Sequence, residues 1–133
     1  MSSMTLDELF QHQVAARGGK IALRFEKEAV TYKDLDRRAV QIAHGLRERG
    51  IGPGDRIAYL GKNSLAYFEY FLGAMKARVI TVPVNWRLAE PEIGYVLDNS
   101  RARMVLAESQ FDALAAKVVP KTCVFEYCVE NGV

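Results

Sequence analysis

The sequence predicts a layered α/β domain in which a mainly parallel sheet is flanked by helices, and three observations predict it. Between Leu65 and Glu108 the chain runs through a helical pattern, a buried strand, an irregular turn, a second helical pattern and a second buried strand, the order of a βα crossover. Leu65, Phe68, Leu72 and Met75 recur at helical spacing while Tyr67, Phe71 and Ala74 mark a second apolar stripe, so this helix is expected to be covered on more than one side. The third observation is size: 133 residues, 50% of them hydrophobic, suffice for one domain that buries roughly two thirds of its unfolded surface. Residues 1–133 read as a single domain, with 119–133 a tail of uncertain assignment.

Charge narrows the function classes. The 18 basic and 16 acidic residues leave a formal net charge of +2 and are interspersed, so there is no basic stripe to track a phosphate backbone and nucleic acid is not an expected partner. The opening Met1-Ser2-Ser3-Met4 lacks a charged segment followed by an apolar one, and no apolar run approaches the roughly 20 residues of a membrane helix. A cytoplasmic protein without a transmembrane segment is expected. Cys123 and Cys128 stand close together with no second pair to complete a zinc site, which suggests thiols in a reducing compartment and no metal centre.

In chain order, Thr5 with Glu8 has capping-box spacing and opens a short helix whose apolar face is Leu6, Leu9, Phe10 and Val14, ended by Gly18-Gly19. Ile21 to Phe25 alternates as a strand, with Ala29 to Thr31 as its hairpin partner across Glu26-Lys27-Glu28. Thr31 and Asp34 mark a second helix start, and Tyr32, Leu35, Ala39, Ile42 and Leu46 keep one face through to about Arg49. Gly50 is expected in the left-handed region that ends this helix, and Pro53-Gly54 in a turn leading to a strand from Arg56 to Leu60. The strand Val79 to Val82 should stop at Pro83, which has no N–H to give to a ladder. Gln110 to Val118 reads as an amphipathic helix and Thr122 to Val129 as a final strand.

Two stretches imitate phosphate loops. Gly50 to Asp55 is glycine-rich but runs from a helix into a strand, the reverse of the order that points a helix N-terminus at an anion. Gly61-Lys62-Asn63-Ser64 does lie between a strand and a helix, yet Arg56 stands where the first Walker glycine belongs and Asn63 where a hydroxyl residue should follow the lysine. Asn63 or Ser64 as N-cap accounts for the same residues. His12 and His44 have no ligand or catalytic partner at a useful spacing, and Ser64, Ser100 and Ser109 lack a nucleophile elbow. No catalytic residue and no metal ligand can be named from these patterns.

A resemblance carries the reading further. Thr31-Tyr32-x-x-Leu35, Ala43-x-Gly45-Leu46, Gly50-Ile51-x-Pro53-Gly54-Asp55-Arg56-Ile57-Ala58, Asn63-Ser64 and Phe71-Leu72-Gly73-Ala74-Met75-Lys76-Ala77, in that order, resemble the N-terminal region of the adenylate-forming, AMP-binding enzymes. The following Val82-Pro83-Val84-Asn85-x-Arg87-Leu88, Glu92-Ile93-x-Tyr95-Val96-Leu97 and Ser100-x-Ala102 resemble the acyl-CoA synthetase, or fatty-acid–CoA ligase, branch. The resemblance implies the front of an enzyme that couples a carboxylic acid to ATP, with Mg, and passes the acyl group to CoA. It also implies that this chain alone is inactive and binds none of ATP, Mg and CoA tightly, because the Ser/Thr/Gly-rich phosphate loop, the adenine and ribose segments and the C-terminal lysine of that family have no counterpart in it. Arg87 then falls where, in some CoA-forming members of the family, the arginine of the Asn-x-Arg-Leu segment lies near the phosphates of the CoA nucleotide. Trp86 stands where the family usually has proline and Arg78 where it has a helix-ending glycine. The expected partner is the remainder of the ligase, or a second copy joined through an exposed sheet edge. The alternatives are a free-standing, catalytically empty α/β interaction module and a small nucleotide-binding domain of flavodoxin-like shape.

Overall fold

A computed structural model describes residues 3–120 and 123, and the backbone of 125–129. Helix α1 (Leu6–Arg17) precedes a hairpin of β1 (Ile21–Phe25) and β2 (Glu28–Thr31), then α2 (Tyr32–Glu48). A βα succession follows: β3 (Arg56–Leu60), α3 (Leu65–Lys76), β4 (Ile80–Val84), α4 (Glu90–Ser100), β5 (Met104–Glu108), a 3-10 turn at Ser109–Phe111, α5 (Asp112–Val118) and β6 (Phe125–Val129). The four later strands form a parallel sheet in the order β4-β3-β5-β6.

Strand alternation divides the core in two. Ile57, Tyr59, Met104 and Leu106 face α2 and α3, whose Ala43, Leu46, Tyr70 and Ala74 complete one cluster. Their neighbours Ala58, Leu60, Val105 and Ala107 face the other way, onto Ile93 and Leu97 of α4 and Ala115 of α5. This is the three-layered α/β arrangement that the sequence predicts. Both strands β3 and β5 are buried almost throughout, as parallel strands covered on two faces must be. The hairpin closes a third, smaller cluster of Val30, Leu35 and Leu65 beneath Phe10 and Leu72.

The caps follow the local sequence. The hydroxyl of Thr5 accepts from the Glu8 N–H while the Glu8 carboxylate accepts from the Thr5 N–H, and the hydroxyls of Thr31 and Ser64 accept from the Asp34 and Tyr67 N–H groups at the starts of α2 and α3. Helices α2, α3 and α4 all end in one pattern, with bonds from Gly50 to Arg47, Arg78 to Met75 and Arg101 to Asp98, followed by Ile51 to Leu46, Val79 to Ala74 and Ala102 to Leu97. These are Schellman ends, and they require a left-handed residue: Gly50 has φ 76°, Arg78 59° and Arg101 56°.

Three expectations need correction. Pro83 does not end its strand: β4 continues to Val84, and it can because β4 lies at the sheet edge, where a missing N–H need leave no ladder bond unmade. The last helix begins at Asp112 rather than Gln110, after the 3-10 turn. The predicted apolar face of α1 is only half covered, since Phe10 and Val14 pack partly inward while Leu6 and Leu9 stay 62% and 48% exposed. Of the final strand, Thr122 and Val124 lie outside the described residues.

Candidate functional site

The helices that follow β3 and β5 lie on opposite faces of the sheet, so the two strands part company at their carboxyl ends. In an open parallel sheet this is where ligands are received. Gly61 leaves β3 there under close constraint: a Cβ on it would stand 2.8 Å from the Tyr59 ring and 2.9 Å from Cγ of Glu108. Across the gap the Glu108 carboxylate accepts from the Lys62 backbone N–H at 3.2 Å and from Gln110 Nε2 at 2.6 Å.

Beside this opening, between the ends of β3 and β4, is a cavity of ≈ 300 Å³ lined by Tyr59, Gly61, Asn63, Tyr67, Pro83, Val84, Trp86 and Arg87. Its outer wall is a turn from Asn85 to Leu88, closed by the bond from the Leu88 N–H to the Asn85 carbonyl at 3.1 Å. The Asn85 side chain also accepts from the Arg87 N–H at 3.0 Å, which fixes the corner residues Trp86 and Arg87. The Trp86 ring packs against Phe111 with centroids 5.8 Å apart. Two cations lie over it, Arg87 by its guanidinium carbon and Lys62 by its ammonium, each 4.8 Å from the ring centroid.

The inner wall is aromatic. Tyr59 sits 5.2 Å from Tyr67 edge-on and 5.3 Å from Tyr70 in a stack. Burial pushes the Tyr59 phenol up, against the hydrogen bond it shares with Ser64 at 3.3 Å, and the Glu108 charge pushes the same way. The phenol is therefore neutral at ordinary pH. The cavity offers planar surfaces and positive charge, and among the described residues no nucleophile with a base beside it, an arrangement suited to an anionic, ring-bearing ligand rather than to covalent chemistry.

A larger open depression of ≈ 710 Å³ lies at the opposite ends of the strands, around Gly54, Asp55, Arg56, Asp98, Asn99, Arg101 and Arg103. There Arg103 is already bonded to Asp55 at 2.9 Å and to the Gly50 carbonyl at 3.2 Å, and Asp98 opposes an anion. Position at the carboxyl ends, together with two cations gathered on one ring, favours the smaller cavity. Among the described residues no three His, Cys, Asp or Glu side chains gather into a metal-binding group, and no helix is long and apolar enough to cross a membrane. His12 and His44 are exposed.

Of the residues singled out in the sequence, Arg87 lies in the cavity, and Ser64 is the N-cap of α3. Lys62, set aside with its failed Walker pattern, reaches the cavity by another route, over the indole of Trp86. Tyr59 and Tyr67 were legible only as core residues, since nothing local distinguishes a core tyrosine from one at a cavity wall. Cys123 donates its thiol to the Ala102 carbonyl at 3.1 Å, and the side chain of Cys128 lies outside the described residues.

The fold and the crevice define a doubly wound α/β unit with a cavity at its carboxyl edge. The model of the family described as "AMP-binding enzyme" matches residues 10–130, and the chain belongs to that family. It is 41% identical over 97 residues to a fatty acid–[acyl-carrier-protein] ligase of Streptomyces coeruleorubidus, covering 73% of this chain and 19% of that one. A 3-oxocholest-4-en-26-oate–CoA ligase of Rhodococcus rhodochrous is 32% identical over 120 residues, 90% of this chain and 22% of its own. Among solved structures, a protein from Rhodopseudomonas palustris CGA009 with the provisional assignment of long-chain-fatty-acid CoA ligase superposes with a TM-score of 0.91 at 27% identity, over 97% of this chain and 33% of that one. The chain thus spans about a fifth of the length of these curated relatives.

Proposed function

We propose that this chain forms the N-terminal part of an AMP-forming acid–CoA ligase, which joins a carboxylic or fatty acid to CoA with ATP cleaved to AMP and pyrophosphate. The observation that carries the reading is Arg87, held on a pinned turn at the carboxyl edge of the sheet with its guanidinium exposed beside an aromatic cavity. A forked, permanently charged donor suits a phosphate of the CoA nucleotide. The residues present fit that end of CoA and do not fit the triphosphate of ATP or its Mg, for which the chain has neither a Ser/Thr/Gly-rich loop nor, among the described residues, a carboxylate cluster. Adenylation accordingly belongs to segments outside this chain, and the chain alone is inactive. The whole of 1–133 acts as one domain, the scaffold against which those segments pack.

A chimaera tests this: the chain replaces the matching first segment of the Rhodococcus relative, and pyrophosphate release and acyl-CoA formation are followed separately. Both should occur, and Arg87→Gln should raise KM for CoA about tenfold or more with pyrophosphate release unchanged. AMP formation by the chain on its own, or a folded chimaera without adenylation, overturns the reading.

One observation favours a second reading, a protein-interaction module without catalysis. β4 is an edge strand whose Ile80 is 47% exposed, an open template for another strand. In this case the chain self-associates through the edge and Ile80→Lys returns it to a monomer in size-exclusion chromatography with light scattering. A monodisperse wild-type monomer at high concentration removes this reading.

A further inference from the structure

We propose that Lys62 and Arg87, both drawn onto the indole of Trp86, form a two-cation clamp for a dianionic phosphate monoester, with Trp86 as its positioning residue. The identity of the phosphate's carrier, the nucleotide end of CoA, rests on the ligase reading above; the clamp itself rests on geometry.

The two cations come from different connections. Lys62 belongs to the loop between β3 and α3, Arg87 to the turn between β4 and α4, and both lie 4.8 Å from one ring centroid. That places them within about 10 Å of each other, about one Debye length at 0.1 M salt, so their repulsion is only partly screened. By contrast, Lys76, which also lies over a ring, is bonded to Asp7 and Asp36, while Arg38 is bonded to Glu69 and Arg103 to Asp55. Among the described residues neither Lys62 nor Arg87 makes an ion pair. Glu108, across the gap, has its Oε2 engaged with the Lys62 backbone N–H and with Gln110 Nε2.

Two positive charges assembled against their own repulsion and without a counter-ion match a ligand of charge −2. The chemistry divides the work: the guanidinium offers a fixed fork and the ammonium a compact, rotatable charge that can close on the same phosphate. Trp86 holds both because its ring is locked against Phe111 and its backbone lies in the Asn85 turn. A terminal phosphate monoester presents such a dianion, while the diester-like links within a pyrophosphate bridge present one charge per phosphorus and would satisfy only one arm.

Trp86 is the only tryptophan of the chain, so its emission reports on the clamp directly. The chain is titrated with CoA, with dephospho-CoA, which lacks the monoester, and with inorganic phosphate. CoA should change the emission saturably and bind about tenfold or more tighter than dephospho-CoA. Lys62→Met should erase most of that preference and Lys62→Arg restore it. Trp86→Leu, followed by calorimetry, should also erase it, and Trp86→Phe keep most of it, while both leave the thermal midpoint near wild type. Equal binding of the two thiols, or no saturable change with either, overturns the clamp, whereas the ligase reading is judged separately by acyl-CoA formation in the chimaera. A preference lost in Arg87→Gln but intact in Lys62→Met overturns the clamp and leaves the role of Arg87 standing. Inorganic phosphate displacing CoA at equal concentration overturns the nucleotide as carrier.

Discussion

Gly73 sits where α3 crosses α2, and replacing it by alanine sets two effects against each other. Alanine is the better helix former by about 1 kcal/mol, so an unconstrained helix would gain stability. A Cβ at this position, however, would stand 2.5 Å from Cγ2 and 2.6 Å from Cβ of Ile42, and 3.0 Å from the Ala39 carbonyl oxygen. The Ile42 Cβ and the carbonyl belong to the frame of α2 and cannot rotate aside, so the two helices must separate. Overpacking of this kind costs about 1–3 kcal/mol, and contact with backbone-fixed atoms argues for the upper end. The net expectation is a loss of about 2 kcal/mol, a fall in thermal midpoint of roughly 8 °C for a domain of this size. Chemical denaturation followed by circular dichroism measures it. Ile42→Ala in the Gly73→Ala background should cost less than in wild type, because it relieves the Cγ2 contact. A Gly73→Ala variant as stable as wild type, or more so, would refute the close packing of α2 on α3.

Three further perturbations have definite signs. Arg38→Met removes the partner of Glu69, which is 3% exposed and 2.6 Å away, and strands a buried carboxylate; a loss of about 3 kcal/mol is expected by urea denaturation, toward the low end for buried pairs because Arg38 is itself partly exposed. Arg78→Gly should stabilise by about 0.5–1 kcal/mol, since the left-handed backbone that a Cβ resists remains while the unfolded chain gains entropy that offsets only part of the relief; Gly50→Ala should do the opposite, and equal midpoints for all three proteins would contradict the strain. Alkaline pH should destabilise the fold. Burial raises the phenols of Tyr59 and Tyr70 above their ordinary value, and for Lys76 the lowering effect of burial is outweighed by its bonds to Asp36 and Asp7. All three hold protons more tightly folded than unfolded, so their contribution is complete below about pH 10 and declines as pH rises beyond it. Urea midpoints at about pH 8 and about pH 11 should differ, and Tyr70→Phe should shrink the difference while losing the bond to the Ile57 carbonyl; a midpoint unchanged over that range would contradict the assignment.

What could be read from the sequence was what short-range chemistry decides. The Thr5–Glu8 box, the caps at Thr31 and Ser64 and the left-handed Gly50 each depend on residues within one turn, and each stands where the local pattern puts it. Arg78 and Arg101 close the same Schellman motif with no glycine to announce it. Their partners Val79 and Ala102 are buried in the core clusters on opposite faces of the sheet, and tertiary packing forces a turn that propensity would not choose. Pro83 was misread for the same reason, because a proline's tolerance depends on which strand becomes the edge, and that is fixed only when β5 crosses to the far side of β3.

The crevice shows the limit more sharply, because its parts come from three connections that are far apart in the sequence. Gly61 must be glycine on account of Tyr59 two residues back and Glu108 at the end of another strand. Lys62 looked like a spoiled Walker lysine because a sequence motif weighs neighbours along the chain, whereas its working neighbour is an indole on the next connection. The family resemblance could find Arg87, since that arginine lies in a contiguous segment, but it marked Trp86 only as a departure. In the folded chain the departure is what places two charges on one ring, each 4.8 Å from its centroid, and no pattern local to either cation could announce that.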